Sequence, residues 1–93
     1  MEVQHKETDS KGSFYIGNGA EILAEMTYSK AGTQLIIIDH TEVSESLKGQ
    51  GVGLRLLKTL VEYARTNSVK VMPLCPFAKS VFEKRSELRD VLN

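Results

Sequence analysis

Lys48-Gly49-Gln50-Gly51-Val52-Gly53 follows an apolar run, Leu35-Ile36-Ile37-Ile38, and precedes an amphipathic run over residues 51–65. It therefore reads as the loop between a strand and a helix. Its glycines allow a tight turn and let a ligand approach the main chain closely. The unpaired N–H groups and positive end of the helix that follows attract an anion such as a diphosphate, and Lys48, Arg55 and Lys58 add positive charge nearby. Glycines ahead of a helix also serve simply to form a turn, so the loop alone leaves both readings open. Two familiar phosphate loops do not fit. No Gly-Lys-Ser/Thr ending follows, so a magnesium-binding hydroxyl is missing. A dinucleotide fingerprint needs its third glycine later than Gly53, and residues 69–74 hold no acidic side chain for a ribose.

In the helix after the loop, Val52, Leu56, Leu57, Leu60, Val61 and Ala64 fall on one stripe, while Arg55, Lys58, Thr59, Glu62 and Arg65 face away. Asn67 is placed to cap its C-terminus. Upstream, the β-branched run over residues 35–38 predicts a central strand covered on both faces. Asp39-His40-Thr41-Glu42-Val43 continues it with polar side chains, which marks the point where the interior gives way to a cleft. Strand alternation puts His40 and Glu42 on one face and Asp39 and Thr41 on the other. Residues 69–74 read as a second strand, parallel to the first because strand, crossover helix and strand form a right-handed unit. Pro73 cannot donate to a ladder, so this strand lies at an edge, is bulged, or parts from its neighbour there. Pro76 suits the first turn of a second helix, in which Phe77, Val81 and Phe82 read as core. Residues 86–93 are ambiguous.

Before the central strand, Phe14-Tyr15-Ile16, Gly17-Asn18-Gly19 and residues 20–28 predict a hairpin built on glycines that accept positive φ. Ile22, Ala24, Met26 and Tyr28 form the better buried face of its second strand, and residues 29–33 make another turn. Residues 1–12 show no sustained period and read as a frayed lead-in with at most a short strand around Val3.

The 93 residues imply a single domain, thinly cored, since a 60-residue chain buries only roughly 60% of its unfolded surface and one of this length only a little more. Twelve Lys and Arg against twelve Asp and Glu argue against nucleic acid or an anionic membrane as partner. No apolar run approaches the roughly 18 residues of a membrane span, and the first residues lack the hydrophobic segment of a secretion signal; a cytoplasmic protein is expected. One cysteine, Cys75, and two histidines, His5 and His40, provide neither an internal disulfide nor a structural metal site.

The loop KGQGVG resembles the Arg/Gln-x-x-Gly-x-Gly/Ala motif of the GNAT superfamily of N-acetyltransferases, with Lys48 in place of the usual Arg or Gln. Strand, loop, helix, strand and helix over residues 35–84 match that family's order. The combination of Asp39-His40-Thr41, the glycine loop and Cys75-Pro76-Phe77-Ala78-Lys79 is similar to its very small single-domain members of the YjdJ type. The resemblance implies a mixed α/β fold in which antiparallel strands precede a strand-helix-strand-helix unit, without the first two helices of larger relatives. It also implies binding of acetyl coenzyme A as substrate, without a metal. The amides of Gln50, Gly51, Val52, Gly53 and Leu54, flanked by Lys48 and Gly49, would hold the diphosphate. Backbone of Thr41, Glu42 and Val43 would pair with the pantetheine arm in a V between the two parallel strands, an opening with which Pro73 agrees.

Acetyl transfer to an amine needs a proton acceptor and a stabilised leaving thiolate. Imidazole, which ordinarily changes charge near neutral pH, makes His40 the candidate base, with Asp39 and Glu42 in reserve; a plain hydrogen-bonding role in the sheet is the alternative. Cys75 precedes the second helix, whose positive end favours negative charge on sulfur. It is a candidate to lie beside the thioester or to accept the acetyl group transiently, or else a small buried hydrophobe. Larger relatives carry a Tyr where Phe82 stands, which leaves Cys75, Ser80 or water to protonate the thiolate. The expected function is N-acetyl transfer to an amine, which a protein or peptide could supply. A non-catalytic coenzyme A-binding or interaction module of the same fold, and nucleotide binding through the loop, are the alternatives. The acceptor and the oligomeric state are not legible.

Overall fold

A computed structural model describes residues 2–18 and 20–93. Its elements are β1 (Gln4–Glu7), β2 (Lys11–Gly17), β3 (Ile22–Lys30), β4 (Leu35–Val43), a 3-10 turn (Glu45–Leu47), α1 (Val52–Thr66), β5 (Lys70–Pro73), α2 (Pro76–Lys84) and a 3-10 segment (Ser86–Val91). The strands form one sheet in the order β1-β2-β3-β4-β5, antiparallel except for the parallel pair β4 and β5. This is the predicted mixed α/β architecture. Among the described residues no helix is long and apolar enough to cross a membrane.

The six stripe residues of α1 are all buried, against Phe14, Ile16, Ala24, Met26, Tyr28, Ile36, Ile38 and Val71 of the sheet. Fully burying each large aliphatic is worth about 1.5–3 kcal/mol, so this single seam supplies much of the cohesion. Ala78 and Phe82 of α2 and Leu88 and Val91 of the 3-10 segment complete the same core. The expected burial of β4 on both faces is corrected: Ile36 and Ile38 are buried, but Leu35 and Ile37 are only half-buried. The face they share is polar, with Ser13 donating to Glu25 at 2.6 Å and Ser29 to Asp39 at 2.6 Å.

The N-terminal expectation also changes. Gln4–Glu7 is a strand paired to β2, and its core-side residues are tied down. His5 stacks on Phe14 at 4.1 Å between ring centroids, and its Nε2 lies 2.7 Å from the Tyr28 hydroxyl. Tyr28 and Tyr63 both donate to Glu7 Oε2, which also pairs with Lys30 at 3.0 Å. Because the Tyr28 hydroxyl spends its proton on Glu7, the His5 contact requires the Nε2–H tautomer. Gly12 lies beside the Tyr28 ring, where no larger residue fits.

The β2–β3 hairpin forms, but β3 starts later than predicted. Gly17 serves close approach rather than positive φ, since a Cβ there would sit 2.5 Å from the Glu21 carbonyl oxygen; Gly19 lies outside the described residues. At the end of α1, Asn67 caps through its own N–H, while Ser68 takes the left-handed conformation with φ of 54°. Ser68 N–H reaches Arg65 O and Val69 N–H reaches Ala64 O, the paired bonds of a Schellman motif.

Candidate functional site

The site begins where the parallel ladder stops. The pairs run from Leu35 with Lys70 to Ile38 with Pro73, and Leu74 N–H makes the last rung to Ile38 O at 3.0 Å. Pro73 is tolerated because β5 is an edge strand and its missing N–H faces away from a required rung. Beyond that rung β4 continues to Val43, whereas the other chain turns into α2 at Pro76. The β5-facing edge of residues 39–43 is therefore unpaired.

A bulge sits at this point. Thr27 pairs with His40 and Tyr28 with Ile38, leaving Asp39 as the extra residue of β4. The bulge overturns the expected alternation: Asp39 shares the polar face with His40 and Glu42, as its bond to Ser29 requires. His40 Nε2 lies 2.9 Å from Glu42 Oε1, both side chains largely exposed. Thr41 and Val43 turn to the opposite side, and Thr41 Oγ1 lies 3.4 Å from Cys75 Sγ. Cys75 is buried and is the N-cap of α2, its sulfur accepting from Ala78 N–H at 3.4 Å.

Gly49 and Gly51 carry the loop through φ values of +82° and +70°, a region that costs other residues dearly. Gly51 is the N-cap of α1 and brings no side chain to the task. Arg55 N–H is the first to turn back, to Gly51 O at 3.1 Å, so the amides of Val52, Gly53 and Leu54 are unpaired first-turn donors. Gly53 admits the Phe77 ring, 2.8 Å from where its Cβ would stand.

These parts enclose a cavity of about 390 Å³. Of the residues singled out from sequence, Thr41, Val43, Lys48, Gly49, Gly51, Val52, Gly53 and Leu54 line it. Glu42 and His40 lie on the other face of β4, Gln50 folds its side chain back to Ser46 O at 3.3 Å, and Cys75 sits behind Thr41. Sequence reasoning missed Leu47, Lys84 and Arg85, and it misplaced Phe77, which lines the cavity instead of the core; Val81 packs against the core as expected and lines the cavity as well. The missed signal was a second stripe on α2, residues 77, 81 and 84, apart from the core pair Ala78 and Phe82, with Arg85 following as the C-cap. Phe82 is buried in the core, and the Ser80 hydroxyl is committed to Phe77 O at 2.9 Å.

The model of the GCN5-related N-acetyl-transferase family matches residues 13–91. The chain belongs to this family. The match extends the resemblance, first seen over residues 35–84, through the hairpin and the C-terminal segment. A GCN5-like candidate N-acetyltransferase from Staphylococcus aureus, solved by NMR, is 45% identical over 97% of this chain and 87% of its own, with a TM-score of 0.75. Ribosomal-protein-alanine N-acetyltransferase from Brucella melitensis biovar Abortus 2308 shares the fold at 15% identity, over 83% of this chain and 62% of its own, with a TM-score of 0.68. A GNAT family acetyltransferase from Elizabethkingia anophelis, with acetyl-CoA bound, shares it at 18% identity, over 81% of this chain and 52% of its own, with a TM-score of 0.62. The chain thus spans about half to three fifths of these two longer acetyltransferases. No curated protein sequence matches it significantly.

Proposed function

We propose that this chain binds acetyl coenzyme A in the cavity and transfers its acetyl group to an amine. One observation carries the reading: a single cavity joins the unpaired first-turn amides of α1 to Thr41 and Val43 on the β4 edge where the sheet opens. The amides of residues 50–54 would take the diphosphate, with Lys48 and Gly49 beside it. The unpaired edge over Thr41, Glu42 and Val43 would add the pantetheine amides as a further strand, bringing the thioester toward Thr41 and Cys75.

The acceptor nitrogen attacks the thioester carbonyl carbon as the carbon–sulfur bond breaks. Its proton passes to His40, which Glu42 orients from the open face of β4. The departing thiolate takes a proton from Thr41, from Cys75 or from water; in a variant of the scheme Cys75 sulfur attacks the thioester carbon, the coenzyme C–S bond breaks and the coenzyme leaves as its thiol with the Cys75 proton, and the Cys75 thioester then yields the acetyl group to the amine. The bare polar face beside His40 suits the amine of a protein or peptide.

Calorimetric titration with acetyl-CoA, followed by assay of thiol release across an amine panel, tests the proposal. Saturable binding with acceptor-dependent release supports it, and no binding refutes it. Phe82, buried where relatives carry Tyr, favours a second reading as a coenzyme A-binding module. Binding without release would select that reading. Mass spectrometry of protein mixed with acetyl-CoA tests the covalent variant, which an unmodified Cys75 during turnover would remove.

A further inference from the structure

The helical elements all bury their apolar residues in the one core, so among the described residues nothing covers the opposite face of the sheet. The strand registers lay that face out in rows. Gln4, Tyr15, Glu25 and Glu42 form one, Lys6, Ser13, Thr27 and His40 the next, and Lys11, Ser29, Ile37 and Met72 a third. In the first row two carboxylates stand directly opposite each other and no cation shares the row, an arrangement that costs stability and that a positive group between them relieves. Ser13, only 4% exposed, donates to Glu25 at 2.6 Å and fixes that carboxylate, which has no ion-pair partner among the described residues. The cations of the face lie on its outer strands, Lys6 over the Tyr15 ring at 5.0 Å and Lys11 at the start of β2. A second cavity, of about 590 Å³, is lined by Leu23, Glu25 and Glu42 and shares Thr41, Val43 and Lys48 with the first. Lys48 is already paired, with Glu45 at 2.8 Å. The carboxylate row therefore adjoins the place where the thioester is proposed to lie.

Resting on the proposed acetyl transfer, we infer that this bare sheet face docks a basic segment of an acceptor protein, with the reacting lysine at His40 and a second cation, two residues away along the segment, between Glu25 and Glu42. The spacing follows from the rows. His40 and Glu42 are two residues apart on β4, about 6.6 Å at 3.3 Å per residue, and on an extended segment side chains two residues apart share a face at the same separation. Charge complementarity selects the occupant. An acidic segment would set a third carboxylate against Glu25 and Glu42, and a monoamine would leave the opposed pair as it is. The transfer keeps the balance already given: the lysine nitrogen gains the acetyl carbon as the thioester carbon–sulfur bond breaks, and its proton passes to His40. Because both carboxylates are reached by solvent, the preference for cations weakens with salt.

Blocked peptides carrying one lysine, with Arg, Gln or Glu at the positions two residues before and after it, test this through acetyl-CoA-dependent thiol release by the full chain. At low salt the Arg peptide should show a KM roughly fivefold below that of the Gln peptide with kcat little changed, and the Glu peptide a higher KM. Glu25→Gln should remove most of that preference, and Glu25→Lys should turn it toward the Glu peptide, which a folding defect does not do. Arg moved next to the lysine should lose the gain, because adjacent side chains of an extended segment point to opposite faces. Amide shifts in NMR give a readout that needs no turnover: the Arg peptide should perturb Glu25, Thr27, His40 and Glu42, and the Glu peptide should not. Equal KM values, or a preference that survives Glu25→Lys, would overturn the inference and leave the proposed function standing. Shifts without transfer from any peptide would keep the docking face and select the coenzyme A-binding module, whereas neither shifts nor transfer would overturn both. A free diamine acetylated as efficiently as the Arg peptide, or self-association that Glu25→Lys abolishes, would give the face to a small amine or to a second copy and overturn the inference as well.

Discussion

Alanine at Gly51 separates backbone strain from every other effect in the loop. Gly51 has φ of +70°, and a Cβ built there meets nothing within 4 Å, so the substitution adds no steric contact within the chain. An L-residue in this region costs about 1–2 kcal/mol, and alanine recovers about 0.4–1 kcal/mol by stiffening the unfolded chain. The net penalty for the strained loop is then about 1 kcal/mol. If the loop keeps its shape in the free protein, that amount is lost from the unfolding free energy and acetyl-CoA affinity stands. If it relaxes, folding stability is unchanged or slightly raised, the strain is restored on binding, and Kd weakens about 5–30-fold. Folding and binding close a thermodynamic cycle, so the two losses sum to about 1 kcal/mol either way. Urea denaturation and calorimetry on Gly51→Ala measure both. Asparagine tolerates the left-handed region better, so Gly51→Asn should lose less folding stability than Gly51→Ala. A sum near zero, or asparagine as costly as alanine in folding, would refute the assignment of strain to this residue.

Other consequences follow for stability. Gly12→Ala would bring a methyl group to 2.6 Å from Tyr28 Cε2, and nearer still to Cζ and the hydroxyl. The ring would have to move by about an ångström, and overpacking of this kind costs about 1–3 kcal/mol before the His5 and Glu7 hydrogen bonds are lost; urea unfolding should show it, and Tyr28→Leu in the same chain should recover most of it. Ser68→Gly relieves the φ of 54° at the Schellman position and should raise the urea midpoint by a gain of under about 1 kcal/mol. Burial holds the His5 imidazole below its ordinary 6.5, against the opposing pull of Glu7. The unfolded chain therefore takes up the proton first, and stability present above pH 6.5 is lost as pH falls through the lower folded value. The hydrogen bond from Lys30 likewise holds Glu7 below its ordinary 4.5, extending the loss to more acidic pH. His5→Phe should flatten the fall in melting temperature between neutral pH and pH 5; an unchanged slope would argue against the His5 account.

Much of the architecture was legible because its causes are local. The α1 stripe from Val52 to Ala64 repeats with the helical period, and every member is buried. Gly51 and Gly53 mark the helix start, and Pro76 marks the start of α2. The family expectation stood on KGQGVG and the strand-helix-strand order around it, and the match over residues 13–91 agrees. The eight residues of β4, the loop and the first turn of α1 that line the cavity were reached by the same route, whereas Phe77 and Val81 were not. Apolar spacing on a nine-residue helix cannot tell a core stripe from a cavity stripe.

What no stretch of residues revealed arises between strands. The Asp39 bulge exists only in the register of β4 against β3, and it alone decides that Asp39 joins His40 on the open face while Thr41 turns toward Cys75. The cluster of His5, Glu7, Phe14, Tyr28 and Tyr63 draws on three strands and α1, so an N-terminal segment without a visible period is nonetheless held. Periodicity and turn chemistry are written residue by residue along the chain and can be read there. Faces, registers and cavities depend on which distant segments meet, and that is settled by how the whole chain packs.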